Sequence, residues 1–499
     1  MSSVAVRMMK GSLWISGARA VVNAAGFFST IMLARLLAPE DFGLVALGTT
    51  ILAIMTAVTE MSLSQALVHH KDPQADHFHT AWTLGAARGL LLAAVMTILG
   101  RPLAALYEEP RLETLIYAFA FSVFLSGLAN PRTVMLSKKL IFWQEFLLSV
   151  AERLVSLAVA IGVALHFQSY WALVAGVVVG QFTSVVLSYF ILPFRPRIVW
   201  RHARELWSFS VWLTLGNAMN TINWRFDQLL VGHLLGRSAL GHYTVGDSLA
   251  QMPTREAISP LTGTLFPALA GIASDPDRLR AGYQRAQSLI TAIALPVGVG
   301  FALVAEPLVL LTMGTKWLPA VPIIQALSSV FALQTLGSMA QPLGMALGAT
   351  KLLFMRDLQM FFVRLPTITC AMLLWGLPGL VYARVFTGLI AACVNMVLVR
   401  RLTGLGLLRQ LGANFRSLVC VAVMVMGTSA VMKLLDSNGL VHDLRYLAAA
   451  VSSGAALYLS SSALLWMASG RPVGPEREFV SLASKLLSQV RRAAPAKRT

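Results

Sequence analysis

Residues 12–37 read SLWISGARAVVNAAGFFSTIMLARLL, and residues 210–235 read SVWLTLGNAMNTINWRFDQLLVGHLL. Slid by 198 positions without a gap, the two stretches share a register: Ser12 falls on Ser210, Trp14 on Trp212, Ala20 on Ala218 and Leu36-Leu37 on Leu234-Leu235. The same register carries Gly43 onto Gly241 and Gly48 onto Gly246. Polar positions agree as well: Ser12, Ser16, Arg19, Asn23 and Thr30 answer Ser210, Thr214, Asn217, Thr221 and Gln228. Their steps of 4, 3, 4 and 7 keep each set on one face of a helix. Chance likeness between apolar helices does not align two polar faces and two glycines. The chain is read as an internal repeat.

The surrounding composition says what kind of repeat it is. Hydrophobic residues make up 57% of the 499, charged residues only 12%, and the mean hydropathy is +0.70. Soluble domains average roughly 25% charged residues, so about half of the usual solvating surface is missing. The net charge of +18 lies in short loops between apolar runs rather than on one soluble face. A bilayer orients such charge, and nucleic acid is excluded as a partner. Cys370, Cys393 and Cys420 all fall in apolar runs without a CxxC pair, which argues against disulfide, zinc or iron–sulfur chemistry.

Taking about 20 apolar residues per crossing, fourteen spans are expected. They are 11–37, 42–68, 80–100, 114–136, 146–166, 171–193, 208–235, 243–272, 288–312, 321–349, 358–375, 379–399, 414–434 and 444–468. The first outlasts a signal-peptide core and is read as a permanent helix. In alternate loops, 26 of the 40 Lys and Arg fall on one side and 6 on the other, so both termini are expected in the cytoplasm. The first and seventh spans run the same way, making the repeats parallel, related by an axis along the membrane normal. The fold class is therefore all-α and polytopic, with two six-helix lobes at 1–206 and 207–402. Two further spans follow at 403–470, then a basic tail at 471–499. In that tail Phe479, Leu482, Leu486, Leu487 and Val490 recur at helical spacing opposite Lys485, Arg491 and Arg492; a helix on an anionic leaflet and a frayed solvated helix fit equally.

A polar face cannot lie against lipid, so it must meet protein or a wet cavity. The eighth span adds Asp247, Ser248, Gln251, Thr254, Arg255, Ser259 and Thr262 on about a third of its circumference. Pro253, Pro260 and Pro267 follow another line of that helix and permit bending. Seven arginines lie inside spans: Arg19, Arg88, Arg153, Arg225, Arg255, Arg364 and Arg384. Each costs roughly 2.5–3.5 kcal/mol to insert. Arg153 follows Glu152, while Arg364 and Arg384 have the option of snorkelling. Arg19, Arg225 and Arg255, on or beside the polar faces, are the candidates for binding phosphate oxygens through two parallel hydrogen bonds. Asn23, Asn217, Thr221 and Gln251 join them as sugar-binding candidates. Six acids are buried in spans (Glu60, Glu152, Asp227, Asp247, Glu256 and Glu306), and Asp227 and Asp247 are the candidates for proton or sodium coupling. Partnership with a neighbouring arginine is the competing role for each. No GxxxxGK[ST], HExxH or GxSxG motif occurs, so no enzyme is expected. His69, His70, His77 and His79 share one loop without a second ligand set, and no metal is expected there.

Two motifs carry a resemblance. Leu33-Ala34-Arg35-Leu36-Leu37-Ala38-Pro39-Glu40-Asp41-Phe42-Gly43 resembles the first helix–loop signature of bacterial polysaccharide flippases, as does Ser62-Leu63-Ser64-Gln65-Ala66-Leu67-Val68. The stretches Asp227–Gly232 and Leu240–Tyr243 are similar to the same family again. The likeness spans about residues 10–470 and is nearest to colanic-acid and succinoglycan exporters within the multidrug/oligosaccharidyl-lipid/polysaccharide superfamily. His233 stands where the repeat has Arg35, so that position is not carried over. The resemblance implies two lobes around a central cavity that open alternately to either side. It implies an undecaprenyl-pyrophosphate-linked oligosaccharide as substrate, moved across the inner membrane for exopolysaccharide or lipopolysaccharide synthesis. No cofactor is implied beyond an H+ or Na+ gradient, and a polysaccharide polymerase or export machinery would be the neighbouring partner. Two alternatives stay open. A multidrug exporter shares the fold but favours acids and aromatics in its cavity, and a membrane glycosyltransferase or polymerase needs a larger outer loop than any present.

Overall fold

The computed structural model describes residues 3–60, 63, 67, 73–138, 142–437, 444–472 and 474–477; within these, the side chains of 3–16, 18, 20, 137, 142, 204–215, 260–264, 266–267 and 437 are not described. The tail helix expected from Phe479 onward, the histidines His69 and His70, and the side chains of Ser12, Ser16, Ser210, Thr214 and Thr262 lie outside the described residues. Among the described residues all regular structure is helical.

Among the described residues thirteen longer helical elements follow in order. They are α1 (Ser3–Leu36), α2 (Pro39–Thr59), α3 (Ala75–Leu106), α4 (Arg111–Gly127), α5 (Phe142–Phe167), α6 (Trp171–Ile191), α7 (Ala203–Leu234), α8 (Gly236–Ala270), α9 (Pro276–Leu303), α10 (Val321–Gln334), α11 (Thr350–Thr403), α12 (Leu407–Ser437) and α13 (Leu444–Ala468). Among the described residues nine stretches are long and apolar enough to cross a membrane, and Val21–Leu36 of α1 is a shorter apolar helix. Their starts follow local chemistry. Pro39 opens α2 with its ring at a position needing no N–H, and the Asp41 carboxylate accepts the Ala38 N–H at 3.2 Å. At α9 the Asp275 side chain accepts from the N–H groups of Asp277 and Arg278. Within α11 the helical backbone is interrupted at Gly376 (φ 62°, ψ −140°), a conformation that disfavours a side chain, so Thr350–Thr403 is two helices joined across a kink, with the expected spans 358–375 and 379–399 on either side of it.

Two compact units divide the chain, Met1–Val245 and Gly246–Thr499. In the first, α4 is the core helix, with Leu112, Leu115, Ile116 and Phe119 all fully buried. Around it, α3 pairs with α4, α5 with α6, α1 with α5, and α2 with α7. In the second, α10 has the central role: Ile323, Ile324 and Leu327 are at most 1% exposed. It packs on α9 and α11, while α12 joins α9 and α13. Gly48 of α2 rests on Leu115 and Phe119 of α4, and its repeat equivalent Gly246 of α8 rests on Ile323 of α10.

The other aligned glycine pair meets directly. A Cβ on Gly43 would stand 1.8 Å from the Arg237 carbonyl oxygen, and one on Gly241 would stand 1.9 Å from that of Pro39. Pro39 and Arg237 are themselves 198 apart. Each segment thus touches the other through equivalent atoms, the reciprocal contact that a two-fold axis produces. Outward-facing positions such as Leu374, Trp375 and Leu459 are large, apolar and exposed, as lipid contact requires.

Candidate functional site: two buried polar clusters

The polar face of α7 forms the first cluster, inside the Met1–Val245 unit. Asp227 is 1% and Gln228 3% exposed. The Asp227 carboxylate accepts the Tyr243 hydroxyl of α8 at 2.6 Å and the Gln228 backbone N–H at 2.9 Å. The Gln228 side-chain oxygen accepts from Thr50 of α2 and, at 3.1 Å, from the Arg225 guanidinium. Thr50 is fully buried, so this is a helix-to-helix bond in a dry setting. Arg225 itself is half-buried, and its hydrogen bond goes to a neutral amide.

In the second unit, α8 builds the other cluster. Asp247 pairs with Arg384 of α11 at 3.0 Å, both side chains nearly enclosed. The remaining Asp247 oxygen accepts the Gln251 amide at 2.7 Å, one helical turn on. The Arg384 guanidinium also lies 5.9 Å from the centre of the Phe331 ring of α10. A charge pair with an amide and an aromatic face is satisfied in place; it carries no free charge for a ligand.

The sequence candidates therefore divide. Asp247 and Gln251 come together, and Arg225 and Asp227 are linked through Gln228. Arg19 stands exposed on α1 with no hydrogen-bond or ion-pair partner among the described residues; Asn23, a turn further on, is half-buried. On α7, Asn217 is exposed and Thr221 half-buried. Arg255 is exposed and contacts the adjacent Glu256 at 3.3 Å. Arg384, for which snorkelling was one option, is 5% exposed and is the central cation of the second cluster; Arg364 is 6% exposed. Arg153 reaches α1 at Gly26 rather than pairing with Glu152. The contributions of Thr50, Tyr243 and Arg384 to these clusters are not carried by the spacing of the sequence. His77, 6% exposed, stacks on His202 at 3.8 Å, and no group of three metal-ligating side chains occurs among the described residues.

Two further hollows lie within the second unit. One of about 820 Å³ mixes apolar wall with Glu306, Gln325, Lys433, Asp436 and Tyr446. The other, about 440 Å³, is an apolar groove between α9, α12 and α13 with Pro296, Phe301, Met424 and Leu459 in its lining.

Comparison with known proteins adds the family context. A family described as "Polysaccharide biosynthesis protein" matches residues 32–322. The chain is 21% identical over 374 residues to the lipopolysaccharide biosynthesis protein WzxC of Escherichia coli (strain K12), covering 73% of this chain and 75% of that one. It is 24% identical over 304 residues to the succinoglycan biosynthesis transport protein ExoT of Rhizobium meliloti (strain 1021), 60% of this chain and 62% of that one. Among solved structures, the inward closed lipid II flippase MurJ aligns with a TM-score of 0.72 at 14% identity over 91% of this chain and 99% of that one. An inward-facing multidrug resistance MATE family transporter of the MOP superfamily aligns with a TM-score of 0.59, also at 14% identity, over 77% and 95%. At such identities the structural likeness shows the fold.

Proposed function

The chain belongs to the polysaccharide biosynthesis protein family, and from that premise we propose that it is a flippase for oligosaccharide units carried on a polyprenyl pyrophosphate, acting by alternating access. The observation that supports this most directly is Arg225, a span arginine whose hydrogen bond is to the neutral Gln228 rather than to an acid. A guanidinium held at membrane depth without a neutralising contact is suited to an anion that arrives with the substrate. A pyrophosphate needs such a partner because its own desolvation is costly. Arg19, exposed on α1 with no acid partner among the described residues, extends the set; Arg255 is also exposed, beside the Glu256 carboxylate it contacts. Hydroxyls and amides at Asn23, Asn217, Thr221 and Gln251 suit sugar, and the apolar groove between α9, α12 and α13 suits a hydrocarbon chain. Asp227, held by Tyr243, is the acid we assign to gradient coupling, since Asp247 is engaged by Arg384. The reading puts the protein in the bacterial inner membrane with both termini cytoplasmic, next to polysaccharide polymerase or export machinery, and assigns it no bond-making chemistry.

The test is translocation of a lipid-linked oligosaccharide in reconstituted vesicles, normalised to folded protein. Arg225→Ala is expected to lower the rate at least about tenfold, the scale of one lost hydrogen bond to a charged group. Arg225→Lys keeps the charge without the two-pronged contact and should lose less. Full activity in a well-folded Arg19→Ala/Arg225→Ala/Arg255→Ala variant would sink the assignment.

A further inference from the structure

The larger hollow of the second unit, about 820 Å³, is built along one face of α12. Leu418, Val421, Val425, Ser429, Met432 and Asp436 line it at steps of 3, 4, 4, 3 and 4, so a single stripe of that helix forms one wall. From Leu418 to Asp436 the stripe is about 27 Å long at the helical rise, close to the thickness of a hydrocarbon core. At one end the chemistry changes. There α12 contributes Lys433 and Asp436, the turn after α9 contributes Glu306, and the first turn of α13 contributes Tyr446. Tyr446 is 4% exposed; its hydroxyl is hydrogen-bonded to Asp436, and Glu306 lies within electrostatic reach of it. Glu306, Lys433 and Asp436 are exposed, and no ion pair joins the lysine to either acid among the described residues. The lining thus ends in two carboxylates and one ammonium above a long apolar wall.

We propose that this hollow holds a bilayer phospholipid with a zwitterionic, primary-ammonium headgroup, of the ethanolamine class. Glu306 and Asp436 accept from the ammonium, whose N–H donors suit carboxylate oxygens, and Lys433 answers the phosphate beside it. Asp436 keeps the Tyr446 hydroxyl meanwhile, since a carboxylate has acceptor sites for both. One acyl chain runs down the α12 stripe, where burial of apolar surface favours it over water. Charge decides against the other lipids. An anionic headgroup meets two acids and a single lysine, and a choline headgroup has no N–H to give the carboxylates. The hollow shares only Leu303 with the apolar groove between α9, α12 and α13. Its lipid belongs to the membrane rather than to the cargo, so the inference does not rest on the flippase reading.

The experiment uses delipidated full-length protein in detergent, titrated separately with phosphatidylethanolamine, phosphatidylcholine and phosphatidylglycerol of identical acyl chains, binding being read by native mass spectrometry. The wild type should bind phosphatidylethanolamine about fivefold more tightly than either of the others, the scale of a charge-assisted contact at an exposed rim. Glu306→Gln/Asp436→Asn should erase that preference and leave the melting temperature of the lipid-free protein unchanged, because both side chains are exposed and Asn retains an oxygen for Tyr446. Ser429→Trp, which fills the middle of the stripe, should weaken all three lipids alike. Should the double variant lose yield, Glu306→Gln alone, at an exposed position, gives the same reading with a loss of about twofold expected. Equal wild-type affinity for the three lipids, tighter binding of phosphatidylglycerol, or a preference for phosphatidylethanolamine that survives in the folded acid variants overturns the proposal.

Discussion

Arg384 and Asp247 are each affordable in a membrane helix because the other is there. Breaking a buried pair from one side leaves a bare charge and costs about 3–5 kcal/mol, whereas removing both partners costs far less. Asp247→Asn should therefore lower the thermal stability of purified protein more than Asp247→Asn/Arg384→Gln does. Additive losses in that double-mutant cycle would mean the two side chains do not depend on each other. Helical periodicity shows which residues of α8 share a face, so Asp247 and Gln251 were grouped correctly from spacing. It carries no information about which other helix meets that face. For that reason Arg384, 137 positions away, was legible as a span arginine but not as the partner of Asp247. Gln228 was legible as a polar-face residue, and its bond to Thr50 was hidden by the same limit.

At the level of helices, Gly43 and Gly241 act as a fitted joint. Backbone meets backbone there, so the obstacle to any larger residue is a carbonyl oxygen with no rotamer to move. Gly43→Ala and Gly241→Ala are each expected to cut the yield of folded protein severely in detergent extracts analysed by size exclusion. Gly162→Ala, where nothing lies within 4 Å of the added Cβ, should extract like the wild type. Equal yields for all three would refute the close approach. The equivalence of these glycines was readable in the 198-residue register, because identical residues at identical offsets need no structure to be seen. Their mutual contact was not, since a repeat specifies which residues correspond and leaves open which of them touch. The break between the eleventh and twelfth expected spans falls at Gly376, two residues before Pro378, whose ring cannot continue a helix undisturbed.

For the whole molecule, hydropathy made the all-helical membrane class legible, because a bilayer leaves few other ways to satisfy the backbone. Orientation depends on the 26-to-6 loop asymmetry. Reporter fusions after Glu109 should read periplasmic, and those after Lys139 or Arg201 cytoplasmic; a cytoplasmic signal at Glu109 would invert the arrangement. The reciprocal glycine joint also has a consequence for biogenesis. Residue 43 leaves the ribosome 198 residues before residue 241, and at about 5–20 residues per second that interval is on the order of 10–40 s. Throughout it α2 sits in the translocon or the lipid without the surface that will close over Gly43 and accept the Thr50 hydroxyl. A ribosome stalled between these points releases a nascent chain whose second helix has an unmatched notch, which a membrane-embedded quality-control protease can read as a sign of incomplete synthesis.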